Sequence, residues 1–210
     1  MFYTELREEI IAAALYMQRS GMIRGTSGNI SVRVPEGVLV TPSSVPYEEL
    51  RAEDICLVSL EGKLLRGERR PSSETPLHLA VYAARPDVGA VVHAHSEFST
   101  VMASLCGVLP AVTVPGTEFY PVKSVPFLLP GSVELASAVA GALGEGSAVI
   151  MAHHGLVCAA ETLKKAMGAA EYVEENARVA YRLHLAGSRS EIPRPQIAKL
   201  KEALAKGHAI

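Results

Sequence analysis

Two histidines stand two residues apart at the end of an apolar run, Ala90-Val91-Val92-His93-Ala94-His95. In a strand, residues i and i+2 point to one face. His93 and His95 therefore present two imidazoles side by side, on a rod that its apolar residues hold still. A second apolar run, Ala148 to Ala152, also closes on histidines, His153-His154-Gly155. Imidazole is a good ligand for Zn²⁺, and a catalytic zinc keeps three protein ligands and an open position. If the two runs meet, His93, His95 and one histidine of the second pair make such a set. Neighbouring strand residues face opposite ways, so one of His153 and His154 is expected to bind. Gly155 permits a close turn beside His154 and favours it, although spacing alone does not separate the two. Without a metal, the same pattern describes hydrogen-bonded histidines at strand ends. His78 reads as a core or supporting residue, and His184 and His208 as surface residues.

Three polar loops form a second group: Gly25-Thr26-Ser27-Gly28-Asn29, Thr41-Pro42-Ser43-Ser44 and Arg70-Pro71-Ser72-Ser73-Glu74. Each offers hydroxyls and backbone N–H groups, and the third precedes a helix, whose N-terminus attracts anions. Such loops can cradle a phosphate without a lysine. Singly they are ordinary turns and caps; the case rests on the three together. Glu74, in the first turn of that helix, is either a partner for the helix dipole or, beside a metal and a phosphate, a general base.

The elements that must position these residues follow from periodicity. Residues 4–20 carry Leu6, Ile10, Ile11, Ala14, Leu15 and Met17 on one helical face. Residues 30–34 and 38–40, around Pro35-Glu36-Gly37, read as a hairpin, and 55–60 with 63–65 as another. Ser73 is placed to cap a helix running to about Ala84. The histidine strand runs from Val88 to His95, and a helix opens at Ser96-Glu97. Short strands are expected at Ala111–Val114 and Val122–Val125, then a helix capped by Ser132, the second apolar strand, a long helix from Thr162 to Leu185, and a polar helix from Ile197 to Lys206. Hairpins beside helices predict an antiparallel or mixed sheet with helices on its faces.

Composition narrows the function classes. The chain has 210 residues, 49% of them hydrophobic, which suits a single domain with a substantial core. Its 20 basic and 22 acidic residues give a net charge of −2 and no basic stripe, so neither nucleic acid nor a membrane surface is an expected partner. Cys56, Cys106 and Cys158 are scattered and odd in number, as in a reducing compartment. The N-terminus runs straight into an amphipathic pattern, unlike a signal peptide, and no apolar run nears the ~20 residues needed to span a bilayer. A cytoplasmic protein is expected.

Taken in order, Gly25-Thr26-Ser27-Gly28-Asn29, Thr41-Pro42-Ser43-Ser44, Ser72-Ser73-Glu74, His93-Ala94-His95 and His153-His154-Gly155 resemble the motifs of the class II aldolase/adducin-head family, most closely its L-fuculose-1-phosphate aldolase branch. The resemblance runs from about residue 5 to about residue 186. It implies a three-layer α/β/α sandwich around a mostly antiparallel central sheet. Residues 1–210 would form one domain, with 188–210 a candidate for a mobile tail. It implies a homotetramer with active sites at subunit interfaces. It implies Zn²⁺ on His93, His95 and His154. The substrate phosphate would lie on Asn29, Ser43, Ser44, Ser72 and Ser73 with the backbone of Thr26–Gly28, and Glu74 would be the acid/base. The activity implied is reversible cleavage of a ketose 1-phosphate to dihydroxyacetone phosphate and an aldehyde through a zinc-stabilised enediolate.

The chain departs from the branch at one point. The tyrosine that protonates the aldehyde oxygen there would fall near Thr113-Val114, where this sequence has none; Tyr120 is the nearest candidate. Within the family, sugar-phosphate epimerases and methylthioribulose-1-phosphate dehydratases keep the same metal and phosphate groups. Adducin-type heads keep the fold as an association module without the zinc site. The presence of all three histidines and Glu74 argues against that last reading.

Overall fold

The computed structural model of the chain describes residues 2–206. The first apolar stripe forms α1 (Thr4–Arg19), which buries Ile10, Ala14 and Met17 completely. Full burial of a side chain the size of Ile10 or Met17 contributes roughly 1.5–3 kcal/mol, so this face docks the helix firmly. Two hairpins follow: β1 (Asn29–Val34) with β2 (Gly37–Val40), and β3 (Cys56–Val58) with β4 (Leu64–Arg66). Next come α2 (Thr75–Ala84), the histidine strand β5 (Ala90–Ala94) and α3 (Glu97–Leu105). The remainder is β6 (Val108–Leu109), a 3₁₀ turn at Pro115–Phe119, β7 (Val122–Val125), α4 (Val133–Leu143), β8 (Ala148–Met151), β9 (Gly155–Ala160), α5 (Leu163–Leu185) and α6 (Arg194–Ala205).

The strands make one sheet in the order β4-β3-β2-β1-β5-β9-β8-β7-β6. Every pair is antiparallel except β7 with β8. The period of two along each strand feeds two separate cores. In β5, Ala90, Val92 and Ala94 face the layer of α1, α3 and α5, whereas Val91 faces the layer of α2 and α4. This is the α/β/α sandwich with a mostly antiparallel sheet. His93 alternates with Val92 and Ala94, and so lies on the α2/α4 side.

Three expectations change. Ala111–Val114 does not form a strand. The Asn176 side chain, from α5, takes the N–H groups of Val112 and Thr113 on Oδ1 and donates through Nδ2 to the Pro110 carbonyl. A side chain thus occupies the groups that a ladder would need. Nor does Ser73 cap α2. It is exposed, and it is Ser72 Oγ that accepts the Glu74 N–H, with Glu74 itself at the cap position. The Ser132 cap is present, accepting from the N–H of Leu135. The polar C-terminal helix starts earlier than periodicity suggests, because Pro195 fits its first turn. Residues 192–201 pack back on the chain. Ile192 N–H bonds the Ala111 carbonyl, Ile197 is buried, and Lys201 Nζ donates to the Tyr120 carbonyl. His208 lies outside the described residues.

Candidate functional site

The first two polar loops flank the paired strands β1 and β2, and the third is hydrogen-bonded to the second. The Thr41 N–H donates to the Ile30 carbonyl, and Thr41 Oγ1 accepts the Ile30 N–H, which ties the second loop to the first. The Ser72 N–H donates to the Thr41 carbonyl and the Ser43 N–H to the Arg70 carbonyl, which lays the third loop along the second. The first loop is pinned by Tyr47, whose hydroxyl donates to the Gly28 carbonyl at 2.6 Å. Gly28 has φ +74°, and a Cβ there would lie 2.8 Å from the His93 carbonyl oxygen. Only glycine lets this loop come so close to the histidine strand.

The second histidine group arrives through the β8–β9 turn. A Cβ on Gly155 would stand 2.1 Å from the Ala94 carbonyl oxygen, so the glycine is what allows β9 to start against the end of β5. His153 takes the left-handed conformation at φ 59° and is exposed, its ring near Phe127. His154 is buried and turns inward. Its imidazole centroid lies 4.9 Å from that of His93 and 5.1 Å from that of His95, while His93 and His95 are 4.9 Å apart. Of the second pair, the structure therefore brings His154, and not His153, to the first two histidines.

Glu74 completes the group. One ligand atom from each of Glu74, His93, His95 and His154 can be chosen so that all lie within 4.8 Å of one another. Glu74 Oε2 is 2.9 Å from His93 Nε2, and Oε1 is 3.2 Å from His154 Nε2. Neither contact is aligned as a hydrogen bond, and both Oε1 and His93 Nε2 are buried without a hydrogen-bond partner. Burial pushes the Glu74 carboxyl up, but its contacts with His154 and His93 outweigh that and hold it well below the usual carboxylate range. His95 is exposed as a residue. Even so, its ring edge lies among the others, and desolvation, with His93 and His154 adding to it, holds its pKa down to about 4.

The donor set fits a cation. His93 Nδ1 is 2.9 Å from the Leu156 carbonyl oxygen. A carbonyl accepts, so Nδ1 carries the proton and the Nε2 lone pair is free. That is the arrangement in which a backbone oxygen fixes the tautomer of a metal-binding histidine. Three converging imidazoles with an unpartnered buried nitrogen suit a divalent transition metal.

In front of the histidines lies a cleft of about 370 Å³. It is lined by Thr26, Gly28 and Asn29 of the first loop, Ser43 and Ser44 of the second, and Ser72 and Ser73 of the third, together with Glu74, His95 and His154. No lysine or arginine lines it among the described residues, so an anion here would meet hydroxyls, backbone N–H groups and the N-terminus of α2. His93 stands behind Glu74. Tyr120 is not brought to the cleft of its own chain. It ends the 3₁₀ turn, half-buried. Pro130 and His153 line the cleft without having been expected there. Tyr47 is a supporting residue that periodicity could not single out.

Comparisons with known proteins give the chain a family. The family model described as Class II Aldolase and Adducin N-terminal domain matches residues 8–181. The chain is 39% identical over 208 residues to an L-fuculose phosphate aldolase of Haemophilus influenzae, covering 97% of this chain and 94% of the relative. It is 36% identical over 203 residues to a 5-deoxy-D-ribulose 1-phosphate aldolase of Bacillus thuringiensis, covering 95% of each. A solved L-fuculose 1-phosphate aldolase superposes with a TM-score of 0.93 at 29% identity, over 98% of both chains.

Proposed function

The chain belongs to the class II aldolase and adducin N-terminal domain family, and from that premise we propose that it is a zinc-dependent aldolase that reversibly cleaves a ketose 1-phosphate to dihydroxyacetone phosphate and an aldehyde. One observation carries the reading. Glu74 stands between the imidazoles of His93 and His154 on one side and the three-loop cleft on the other.

Zinc on His93, His95 and His154 would supply Lewis acidity toward a carbonyl and hydroxyl oxygen of the substrate. The rest belongs to the chain's own residues. Asn29, Ser43, Ser44, Ser72 and Ser73, with the Thr26–Gly28 backbone, hold the phosphate and so fix the substrate's position. Glu74 then takes the proton from the carbon beside the carbonyl in the direction of synthesis, and returns it there in cleavage. Asn29 Nδ2, 3.2 Å from Glu74 Oε2, keeps that carboxylate aimed.

The same reading assigns the proton on the aldehyde side to Tyr120, acting in a homotetramer whose sites are completed at subunit boundaries. Two features support it. Tyr120 lies away from its own chain's cleft, and Phe127, Leu129 and Val133 are exposed around Pro130, which lines the cleft. A cytoplasmic location agrees with three free cysteines.

The test is an assay of purified protein with L-fuculose 1-phosphate and with 5-deoxyribulose 1-phosphate. Dihydroxyacetone phosphate should be released from one of them, the release should stop on chelation, and zinc should restore it. Dehydration or epimerisation with no triose phosphate would contradict the aldolase. Full activity of metal-free protein would contradict the zinc.

A further inference from the structure

Behind Glu74 and Asn29 the structure continues a buried polar ladder whose further members, His78, Ser31 and Tyr82, have no part in the chemistry derived so far. On α2, Glu74, His78 and Tyr82 recur every four residues, which puts them on one helical face. On β1, Asn29 and Ser31 are two residues apart and share one side of the strand. The two sets interleave. Asn29 Nδ2 lies 3.2 Å from Glu74 Oε2; His78 Nε2 lies 2.6 Å from Asn29 Oδ1; Ser31 Oγ lies 2.6 Å from His78 Nδ1; and Ser31 Oγ lies 2.9 Å from the Tyr82 hydroxyl. All five side chains are buried, and His78 and Ser31 are wholly so.

The protons along this ladder have one consistent arrangement. A carboxylate only accepts, so Asn29 must turn its NH₂ toward Glu74 and its oxygen toward His78. His78 must then donate through Nε2, which leaves Nδ1 to accept from Ser31, whose oxygen accepts from Tyr82. Burial pushes His78 down to about 3, which suits a neutral ring with a single N–H. With no N–H on the histidine, the Asn29 amide would lose the partner that decides its orientation. It could then rotate and set its oxygen against the carboxylate.

We infer that His78 is a positioning residue: its Nε2–H locks the Asn29 amide so that Asn29 donates to Glu74 and holds that carboxylate toward the cleft. The inference rests on the reading of Glu74 as the proton-transfer group. A histidine that only fills the core would be as well replaced by an apolar residue of similar size. A histidine that sets a neighbour's orientation needs a donor at the place of Nε2, which a glutamine amide supplies and a leucine does not.

Two measurements test this. In ¹⁵N-labelled wild-type protein, the His78 ring nitrogens should report the neutral tautomer protonated at Nε2, unchanged across the neutral pH range. An Nδ1–H tautomer or a titrating ring would overturn the inference, whether or not the protein proves to be an aldolase. In variants, His78→Leu should lower kcat by about tenfold or more, in the range for loss of a residue that orients an active group. Bound metal should stay near wild type, and the Asn29 side-chain amide resonances should shift. His78→Gln should recover most of kcat and the wild-type amide signals. Equal losses in the two variants, or full kcat in His78→Leu, would overturn it. If His78→Leu does not fold, Tyr82→Phe gives the weaker version of the same test, because it removes only the far donor. It should shift the His78 nitrogen signals, and unchanged signals would count against the ladder.

Discussion

Two glutamates occupy matching places in this molecule and are treated in opposite ways. Glu74 sits at the start of α2, and Glu174 reaches from α5 to the start of α3. Glu174 is fully engaged. Oε1 accepts the Phe98 N–H, and Oε2 accepts the Ser99 N–H and hydroxyl. It satisfies donors that a helix N-terminus leaves open and has nothing left to offer. Glu74 is more deeply buried yet less satisfied. Oε1 has no hydrogen bond, two imidazoles face it off-line, and a polar cleft opens in front. A buried carboxylate saturated by backbone groups is part of the scaffold. One left with a free oxygen beside imidazole nitrogens placed to hold a metal is arranged for chemistry, and its unmet polarity is borne by the rest of the fold.

Substitutions can break that contrast. The largest effect belongs to the histidines on the Glu74 side. His154→Ala should weaken metal binding by more than about 100-fold, since even supporting residues of a metal site account for 10–100-fold, while His153→Ala should leave it near wild type. Elemental analysis after dialysis checks this, and the reverse pattern would exchange the two roles. Next comes Glu174→Ala, which leaves the Phe98 and Ser99 donors unpaired. It should lower the free energy of unfolding by about 1–3 kcal/mol with kcat unchanged, as read by urea denaturation beside a turnover assay. A catalytic defect without a stability defect would erase the distinction between the two glutamates.

The smallest effect concerns a third carboxylate, Asp54, which accepts from the Arg51 N–H and from Arg69 Nε. Partial burial pushes its carboxyl up, but Arg69 and Arg51 outweigh this and set it below the ordinary range. The folded state therefore binds its proton less tightly than the unfolded chain. Its contribution is present above the unfolded pKa and is lost as pH falls through the lower folded value. Asp54→Asn should flatten the acid side of the stability–pH curve, by less than about 1 kcal/mol because Arg69 is exposed. An unchanged acid limb would show that the pair contributes nothing.

Much of this was legible in the residues. The i, i+2 spacing of His93 and His95, the second apolar run ending in histidines, and three hydroxyl-rich loops are local patterns, and local patterns survive into the fold. The mixed sheet followed from hairpins interleaved with helical periods. Contacts between distant segments were not legible. Asn176 removing the strand expected at Ala111–Val114 is a side chain meeting a backbone 64 residues away. The exclusion of Ser73 as a cap turned on one hydroxyl, that of Ser72. The spacing of Glu74, His78 and Tyr82 was present in the sequence, but its meaning required the strand that interleaves with it. The place of Tyr120 was not legible for the same reason, since no local pattern sets it against or away from the cleft.

The central claim is that Glu74 moves a proton at the carbon beside a carbonyl. It is tested most directly by following deuterium entry into dihydroxyacetone phosphate in D₂O, with no aldehyde present. Wild-type protein should exchange one of the hydrogens on the carbon that bears the free hydroxyl. Glu74→Gln should keep its metal and its stability, and lose exchange by about 10²–10⁴-fold, the range of general acid–base catalysis. Exchange at the wild-type rate in metal-loaded Glu74→Gln would contradict the account.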